Sequence, residues 1–142
     1  MKLYFPIGNY LYRHNQIMIE YLTSSKLPSS HLPFSPATAL GNMLFVSGQA
    51  SVDENGNIVS DTFEGEMRRS MENLRRILEE NNSFFGNILQ LRAYVDDPKD
   101  LPEFNRIYAD YFEPPYPART TLTQCFGGIL KFEVDCIALR HC

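Results

Sequence analysis

Two residues near the end of the chain, Arg119 and Glu133, have side chains suited to chemistry on a small anionic molecule. Arg119 lies in residues 117–121 (PARTT) and Glu133 in residues 132–135 (FEVD). A guanidinium binds a carboxylate through two parallel hydrogen bonds, and a nearby carboxylate can exchange protons with the bound substrate. An Arg–Glu ion pair that ties two strands together is the structural alternative, and spacing alone favours it because most such pairs are structural.

These residues must be positioned by two β-rich runs that a Gly-Gly loop joins. Pro117 favours extended backbone before Arg119, and residues 120–123 (TTLT) favour a pleated strand. In the second run, alternation separates Glu133 from the apolar residues Phe132, Val134, Cys136 and Ala138. If the two runs pair as a hairpin, Arg119 and Glu133 reach one pocket.

The composition limits the classes of partner. The 142 residues suit one domain, and the net charge of −4 offers no basic stripe to a phosphate backbone, so nucleic acid is not an expected partner. The 3 cysteines show no CxxC spacing and the 3 histidines are far apart, so neither a metal site nor a disulfide framework is indicated. No apolar run approaches the ~20 residues that span a bilayer, which excludes a membrane partner, and we expect a cytoplasmic protein.

Periodicity predicts alternating strands and helices. A strand is expected over residues 16–22, and a hairpin over 37–40 and 43–47 in which Gly48 ends the second strand. Apolar residues at helical spacing predict a helix from Asp61 to residues 81–82, with a capping box between Asp61 and Glu64. The further elements are a strand over 87–95, a helix from Asp96 that ends before Pro114, and the two final strands.

This order predicts an α+β domain with two helices packed on one face of a mixed sheet. Residues 1–16 have no clear period and are interpreted as an N-terminal extension, with residues 17–142 as a single domain. No segment is left to cover the second face of the sheet. We therefore expect another subunit to cover it.

Residues 33–49 (PFSPATALGNMLFVSGQ), the helix–strand–helix middle and the final PART…FEVDCIAL pair resemble the RidA/YjgF family, also named for L-PSP endoribonuclease. The resemblance covers roughly residues 17–140. It implies a chorismate-mutase-like, RidA-type α+β fold. It also implies a homotrimer whose clefts lie at the subunit interfaces.

The function that the resemblance implies is hydrolytic deamination of reactive enamines and imines, such as 2-aminoacrylate and 2-iminopropanoate, to 2-keto acids and ammonia. This is the activity of a 2-iminobutanoate/2-iminopropanoate deaminase, and it needs no cofactor. Arg119 matches the family arginine that holds the substrate carboxylate, and Glu133 matches the glutamate near the water. The other substrate-binding positions that the resemblance implies are Phe34, Ser47, Asn105 and Thr121.

Several of these positions depart from the family pattern or have a structural reading. Thr121 stands where many members have cysteine, and the contact there is attributed to the backbone N–H. Phe34 stands where many members have tyrosine, so a hydroxyl is lost. Without the family, Ser47 reads as a turn cap, Asn105 as an exposed helix residue and Phe34 as a packing residue.

Two other functions compete with the deaminase. A non-catalytic protein on the same scaffold would bind or sense 2-keto acids through Arg119, and the missing hydroxyl at Phe34 favours this reading. Ribonuclease activity is suggested by the family's older name. The acidic charge balance and the absence of a histidine pair argue against it.

Overall fold

A computed structural model describes residues 18–23 and 30–141 of the chain. Within them, six strands form one mixed sheet: β1 (Ile19–Leu22), β2 (Ala37–Leu40), β3 (Met43–Ala50), β4 (Ile88–Val95), β5 (Ala118–Thr123) and β6 (Phe132–Leu139). The two α-helices, α1 (Phe63–Glu80) and α2 (Leu101–Tyr108), follow β3 and β4, and short 3-10 turns precede β4 and α2. The predicted α+β architecture is confirmed.

The strand order is β1-β2-β3-β6-β4-β5, and β4 and β5 are the parallel pair. The predicted hairpin between the last two strands is therefore wrong, because β4 lies between β5 and β6. The chain leaves β4, crosses through α2 and returns as β5, so that β5 forms an edge of the sheet. A parallel neighbour needs a crossover of this kind, whereas a hairpin would have required an antiparallel pair.

The N-cap of helix α1 lies one residue later than predicted. The side chain of Thr62 accepts a hydrogen bond from the Gly65 N–H at 3.1 Å, so Thr62 is the N-cap. The predicted capping box is wrong: Asp61 accepts from the Thr62 N–H, and Glu64 turns instead to Arg68 at 2.9 Å. The helix ends at Glu80 with Asn81 as its C-cap, which confirms the prediction that residues 81–82 stop it.

Both helices pack on the same face of the sheet, which we call the helix face. Phe132 of β6 is fully buried there, with its ring centroid 6.1 Å from that of Phe63 in α1 and 5.9 Å from that of Phe104 in α2. The alternation predicted for β6 is confirmed, since its four helix-face residues are all buried. This aromatic contact anchors α2 against the sheet, each buried ring contributing roughly 1.5–3 kcal/mol.

Two strands contain register shifts that the pattern did not reveal. The prediction that β3 ends at Gly48 is wrong. The strand shifts register between Val46 and Gln49 and continues to Ala50. In β4 a similar shift between Ile88 and Gln90 leaves Ile88 buried and Leu89 exposed. One extra residue in a strand reverses the faces of the residues around it.

The ends of the chain and of α2 differ in part from the prediction. Of the strand predicted over residues 16–22, residues 19–22 form β1, and residues 16–17 lie outside the described residues, as does the predicted extension. Helix α2 begins at Leu101, after a 3-10 turn over Pro98–Asp100, so the predicted start at Asp96 is wrong; it ends at Tyr108, before Pro114 as predicted. Across the described residues, the structure contains no helix long and apolar enough to cross a membrane.

The opposite face, which we call the outer face, carries exposed apolar side chains. Phe45 is 38% exposed, Leu122 39% and Leu139 36%. Residues 18–23 and 30–141 contain no further layer that covers them. The single chain thus places the helix face in a core and leaves the outer face open.

Candidate functional site

Arg119 lies on edge strand β5 and extends over helix α2. Its Nη2 donates a hydrogen bond to Asn105 Oδ1 at 2.9 Å, and its Cζ lies 4.9 Å from the Phe104 ring centroid and 4.7 Å from that of Tyr108. Asn105 is fixed in turn, because its Nδ2 donates to the Leu101 carbonyl at 3.1 Å. The guanidinium is therefore oriented by an amide and two ring faces, with its remaining N–H groups unused by a described carboxylate.

A pocket of about 380 Å³ opens beside this guanidinium, and we call it the edge pocket. Its lining residues are Asn105, Tyr108, Ala109, Tyr116, Pro117 and Arg119. The wall is largely aromatic and apolar, with one fixed cation. Such a pocket suits a small organic anion.

Glu133 lies on the outer face, on the other side of the sheet from Arg119. In the sheet register Glu133 pairs with Tyr94, whereas Arg119 pairs with Leu91, a buried helix-face residue. Because alternate residues of a strand point to opposite faces, one chain cannot bring these two side chains into one pocket. The structural alternative, an Arg119–Glu133 ion pair within the chain, is excluded for the same reason.

The Glu133 carboxylate is half-buried and accepts no hydrogen bond from the described residues. Burial raises its pKa, and the Asp135 carboxylate on the same strand raises that pKa further. Asp135 itself is occupied, since Arg92 Nε donates to it at 2.8 Å and the Tyr94 hydroxyl donates to it at 2.9 Å. Of the two acids on this strand, Glu133 is the one that no described residue holds and whose pKa is raised, so it is the candidate acid–base group.

Gly48 explains how the Glu133 carboxylate fits against β3. A Cβ atom on residue 48 would lie 2.0 Å from Glu133 Oε1 and 3.0 Å from its Cδ. The absence of a side chain at the register shift therefore lets the carboxylate lie against the backbone. The glycine predicted to end the strand serves instead as a close-approach position.

A second concavity, the outer-face pocket, holds two of the predicted site residues. Phe34, which is 50% exposed, lines it together with Ser47, and the exposed aromatic rings of Tyr21 and Phe45 complete its wall. The Ser47 hydroxyl is already used, since it donates to the Ser35 carbonyl at 2.6 Å. In the single chain, the Ser47 hydroxyl therefore holds the backbone of a loop, which is the structural role and not the substrate-binding one.

The predicted site residues thus fall into two groups. Thr121 pairs with the buried Ala93 in the sheet register, so it lies on the helix-face side of β5 together with Arg119. Arg119 in turn contacts Asn105 on α2. Phe34, Ser47 and Glu133 belong to the outer face. The first group can orient an anion, and the second offers an apolar wall and an acid–base group.

Known protein families and solved structures that resemble this chain identify its family. The family model described as Endoribonuclease L-PSP matches residues 24–140. The chain belongs to this family. It is the RidA/YjgF family that the sequence resembles, and the predicted RidA-type fold is confirmed by solved structures such as a putative endoribonuclease of Thermotoga maritima, with a TM-score of 0.78 at 29% identity over 87% of this chain and 98% of that one.

Two curated relatives of this L-PSP family chain come from Pyrococcus abyssi and Arabidopsis thaliana. A RutC family protein of Pyrococcus abyssi is 33% identical over 104 residues, which make up 72% of this chain and 82% of that protein. The chloroplastic Reactive Intermediate Deaminase A of Arabidopsis thaliana is 27% identical over 135 residues, 94% of this chain and 72% of that protein. Since one relative is chloroplastic, the cytoplasmic location of this chain stays a prediction.

The sequence did not single out the aromatic residues around Arg119. Phe104 and Tyr108 belong to the apolar stripe that predicted α2, and periodicity alone gives such residues a core role. The signal that could have found them is their spacing, since residues 104, 105 and 108 share one side of a helix. Tyr116 lies just before the PART motif and carries no signal of its own.

Proposed function

We propose that this protein hydrolyses reactive imines and enamines of amino acids to 2-keto acids and ammonia. The observation that carries the proposal is the Arg119 guanidinium, which is oriented by Asn105 and two rings and lines a pocket without a described carboxylate partner. A substrate carboxylate supplies that partner. Two parallel N–H···O bonds would then fix the imine carbon relative to a water molecule.

The chemistry that follows needs one acid–base group. The water oxygen attacks the C=N carbon while Glu133 takes a proton from that water, and a tetrahedral carbinolamine forms. The nitrogen takes up the proton that Glu133 returns and then the proton of the new hydroxyl group, and it leaves as ammonia while the carbon becomes the keto group. The raised pKa of the Glu133 carboxyl supports this role, since it brings the group nearer to the pH at which it must both accept and donate a proton.

The opposite-face positions of Arg119 and Glu133 support a site shared between two copies of the chain. In this proposal the helix-face group of one copy, Arg119, Asn105 and Thr121, meets the outer-face group of the next, Phe34, Ser47 and Glu133. A homotrimer with three such clefts satisfies this requirement with closed symmetry. The exposed apolar residues of the outer face supply the contact area.

The direct test is release of a 2-keto acid when imines are generated in situ by an amino-acid oxidase or a threonine/serine dehydratase. We expect the protein to accelerate release above the rate in buffer. Several amino acids of different size should be compared, because the natural imine is not specified by the residues described. No acceleration with any of them would end the deaminase proposal.

Mixed oligomers test the shared site. Arg119→Gln and Glu133→Gln should each be nearly inactive, because each lacks one half of every cleft. When the two variants are co-expressed, a trimer that contains both has one cleft with an intact Arg119 and an intact Glu133. Random mixing should then restore about one quarter of wild-type activity, whereas a site within one chain would restore none.

Binding without turnover is the second candidate function. Phe34 supplies no hydroxyl to the outer-face pocket, and the Ser47 hydroxyl is tied to Ser35, so the outer-face half offers few polar contacts to a reacting water. A regulatory protein of this kind would be stabilised by 2-keto acids in thermal unfolding yet show no imine hydrolysis. Turnover above the buffer rate would exclude it.

A further inference from the structure

Three residues of one helical turn hold the Arg119 guanidinium, although Arg119 itself lies on an exposed edge strand. Asn105 accepts from Nη2, and the rings of Phe104 and Tyr108 lie 4.9 Å and 4.7 Å from Cζ. Arginine has many rotamers in water, and a contact that selects one of them reduces the entropy lost on ligand binding. The residues that make this selection therefore affect affinity even if they never contact the ligand.

Tyr108 differs from Phe104 in where it lies. Phe104 is 0% exposed and packs against Phe132, so it belongs to the core irrespective of Arg119. Tyr108 is 6% exposed and lines the edge pocket. Its ring thus forms the boundary between the core and the ligand space.

The hydroxyl of Tyr108 takes no part in a hydrogen bond within the described residues, although it is buried. Burial raises the pKa of this phenol, and the charge of Arg119 lowers it, while Tyr116 raises it. The Arg119 and Tyr116 side chains that act on the phenol both line the edge pocket. A buried hydroxyl without an acceptor adds no stability, so the ring, not the oxygen, is the part of Tyr108 that has a partner.

We infer that Tyr108 is a positioning residue, whose ring face fixes the plane of the Arg119 guanidinium so that a ligand carboxylate meets the N–H groups that Asn105 leaves free. Asn105 accepts from one of the two Nη2 N–H groups, so a ligand carboxylate can still pair with the other Nη2 N–H together with either Nε or Nη1. The cation over the ring keeps that edge turned to the pocket. This inference rests on the proposed function for the identity of the ligand, a 2-keto or 2-imino acid.

The test is a double-mutant cycle read by 2-ketobutyrate binding in calorimetry and by kcat/KM. Tyr108→Leu removes the ring, and we expect it to weaken 2-ketobutyrate binding at least about fivefold in the otherwise wild-type protein. In an Arg119→Lys background the same change should cost less than about twofold, because the group that the ring positions is gone. Tyr108→Phe keeps the ring and should bind within about twofold of wild type.

Phe112→Leu is the matched control for damage to packing. Phe112 is also 6% exposed and its ring stacks on that of Tyr108 at 4.5 Å, yet no contact to Arg119 is recorded among the described residues. It should lower the unfolding free energy about as much as Tyr108→Leu while it changes 2-ketobutyrate affinity much less. Equal affinity losses for the two leucine variants would reduce Tyr108 to a packing residue and overturn the inference.

The remaining outcomes separate this inference from the proposed function. A Tyr108→Leu loss of equal size in both backgrounds, or a large loss in Tyr108→Phe, overturns positioning through the ring even if imines are hydrolysed. The expected coupling in a protein that binds 2-ketobutyrate but hydrolyses no imine supports the inference and removes the deaminase. A wild type that does not bind 2-ketobutyrate overturns the inference, whereas imine turnover would still be measured directly.

Discussion

The two faces of the sheet have the same alternating pattern but different surroundings. On the helix face Leu44, Phe132 and Val134 are 0% exposed beneath α1 and α2. On the outer face Phe45, Leu122 and Leu139 are 36–39% exposed, with Glu133 and Asp135 among the neighbouring side chains. The alternation of residues along a strand predicts which side chains share a face of the sheet. It does not predict what packs against each face.

The difference separates the residues that stabilise the fold from the residues of the proposed chemistry. The helix face holds the apolar contacts that keep the chain folded, and the outer face holds the Glu133 carboxylate, which has a raised pKa and accepts no hydrogen bond from the part of the chain that the structure describes. The edge strand β5 places Arg119 at the boundary between them. Substitutions on the two faces should therefore affect different measurements.

The largest expected effect is on the helix face. Phe132→Ala should lower the unfolding free energy by about 3–5 kcal/mol, since it removes a fully buried ring that contacts both helices. The matched outer-face change, Phe45→Ala, should mainly weaken association. Guanidinium-chloride unfolding and sedimentation would measure the two effects, and an equal loss of fold stability in both variants would contradict the comparison.

The next effect concerns catalysis on the outer face. Glu133→Gln should lower kcat/KM for imine hydrolysis at least about 100-fold, or roughly 2.7 kcal/mol, because the acid–base group is lost. Asp135→Asn on the same strand is the control, since that carboxylate is already held by Arg92 and Tyr94. If Asp135→Asn were as damaging as Glu133→Gln, the assignment of the acid–base group to Glu133 would fail.

A smaller effect is expected at the boundary between the faces. Arg119→Lys keeps the charge but loses the planar pair of donors, and should lower kcat/KM at least about tenfold, or roughly 1.4 kcal/mol. The proposed oligomer should persist, because its contact area is proposed to rest mainly on the exposed apolar residues of the outer face and not on this one cation. Arg68→Lys is the matched control, since Arg68 pairs with Glu64 and Asp110 on the helical side. A fully active Arg119→Lys protein that dissociates would show that Arg119 is a structural contact.

The smallest effect is the pH dependence of stability that Glu133 introduces. The pKa of its carboxyl is raised in the folded state, so between the ordinary and the raised pKa the folded chain binds more protons than the unfolded chain. The unfolding free energy of the wild type should fall as pH rises through that window. Relative to wild type, Glu133→Gln should gain stability across the window and show no difference below it. Denaturant unfolding of both proteins over that pH range measures this difference. If the unfolding free energies of the two proteins changed in parallel with pH, the pKa of the Glu133 carboxyl would be unperturbed.

Much of the fold was predictable because its signals are local. The helical spacing of apolar residues specified α1, residues 81–82 specified where it stops, and the alternation in β6 specified which residues are buried. The PART and FEVD segments supplied Arg119, Thr121 and Glu133 as candidate site residues, and together with residues 33–49 and the helix–strand–helix middle they indicated the family. These features depend on neighbours within a few positions, which a sequence displays directly.

The sequence by itself therefore determined the element types and the helix face of β6, and it predicted Arg119 and Glu133 as the candidate chemical groups. The tertiary structure alone decided that β4 lies between β5 and β6, which places Arg119 and Glu133 on opposite faces. It also decided the register shifts and the contact of Tyr108 with Arg119. Strand order and cross-element contacts depend on pairing between residues distant in the chain, and no local period records which distant strand a given strand will join.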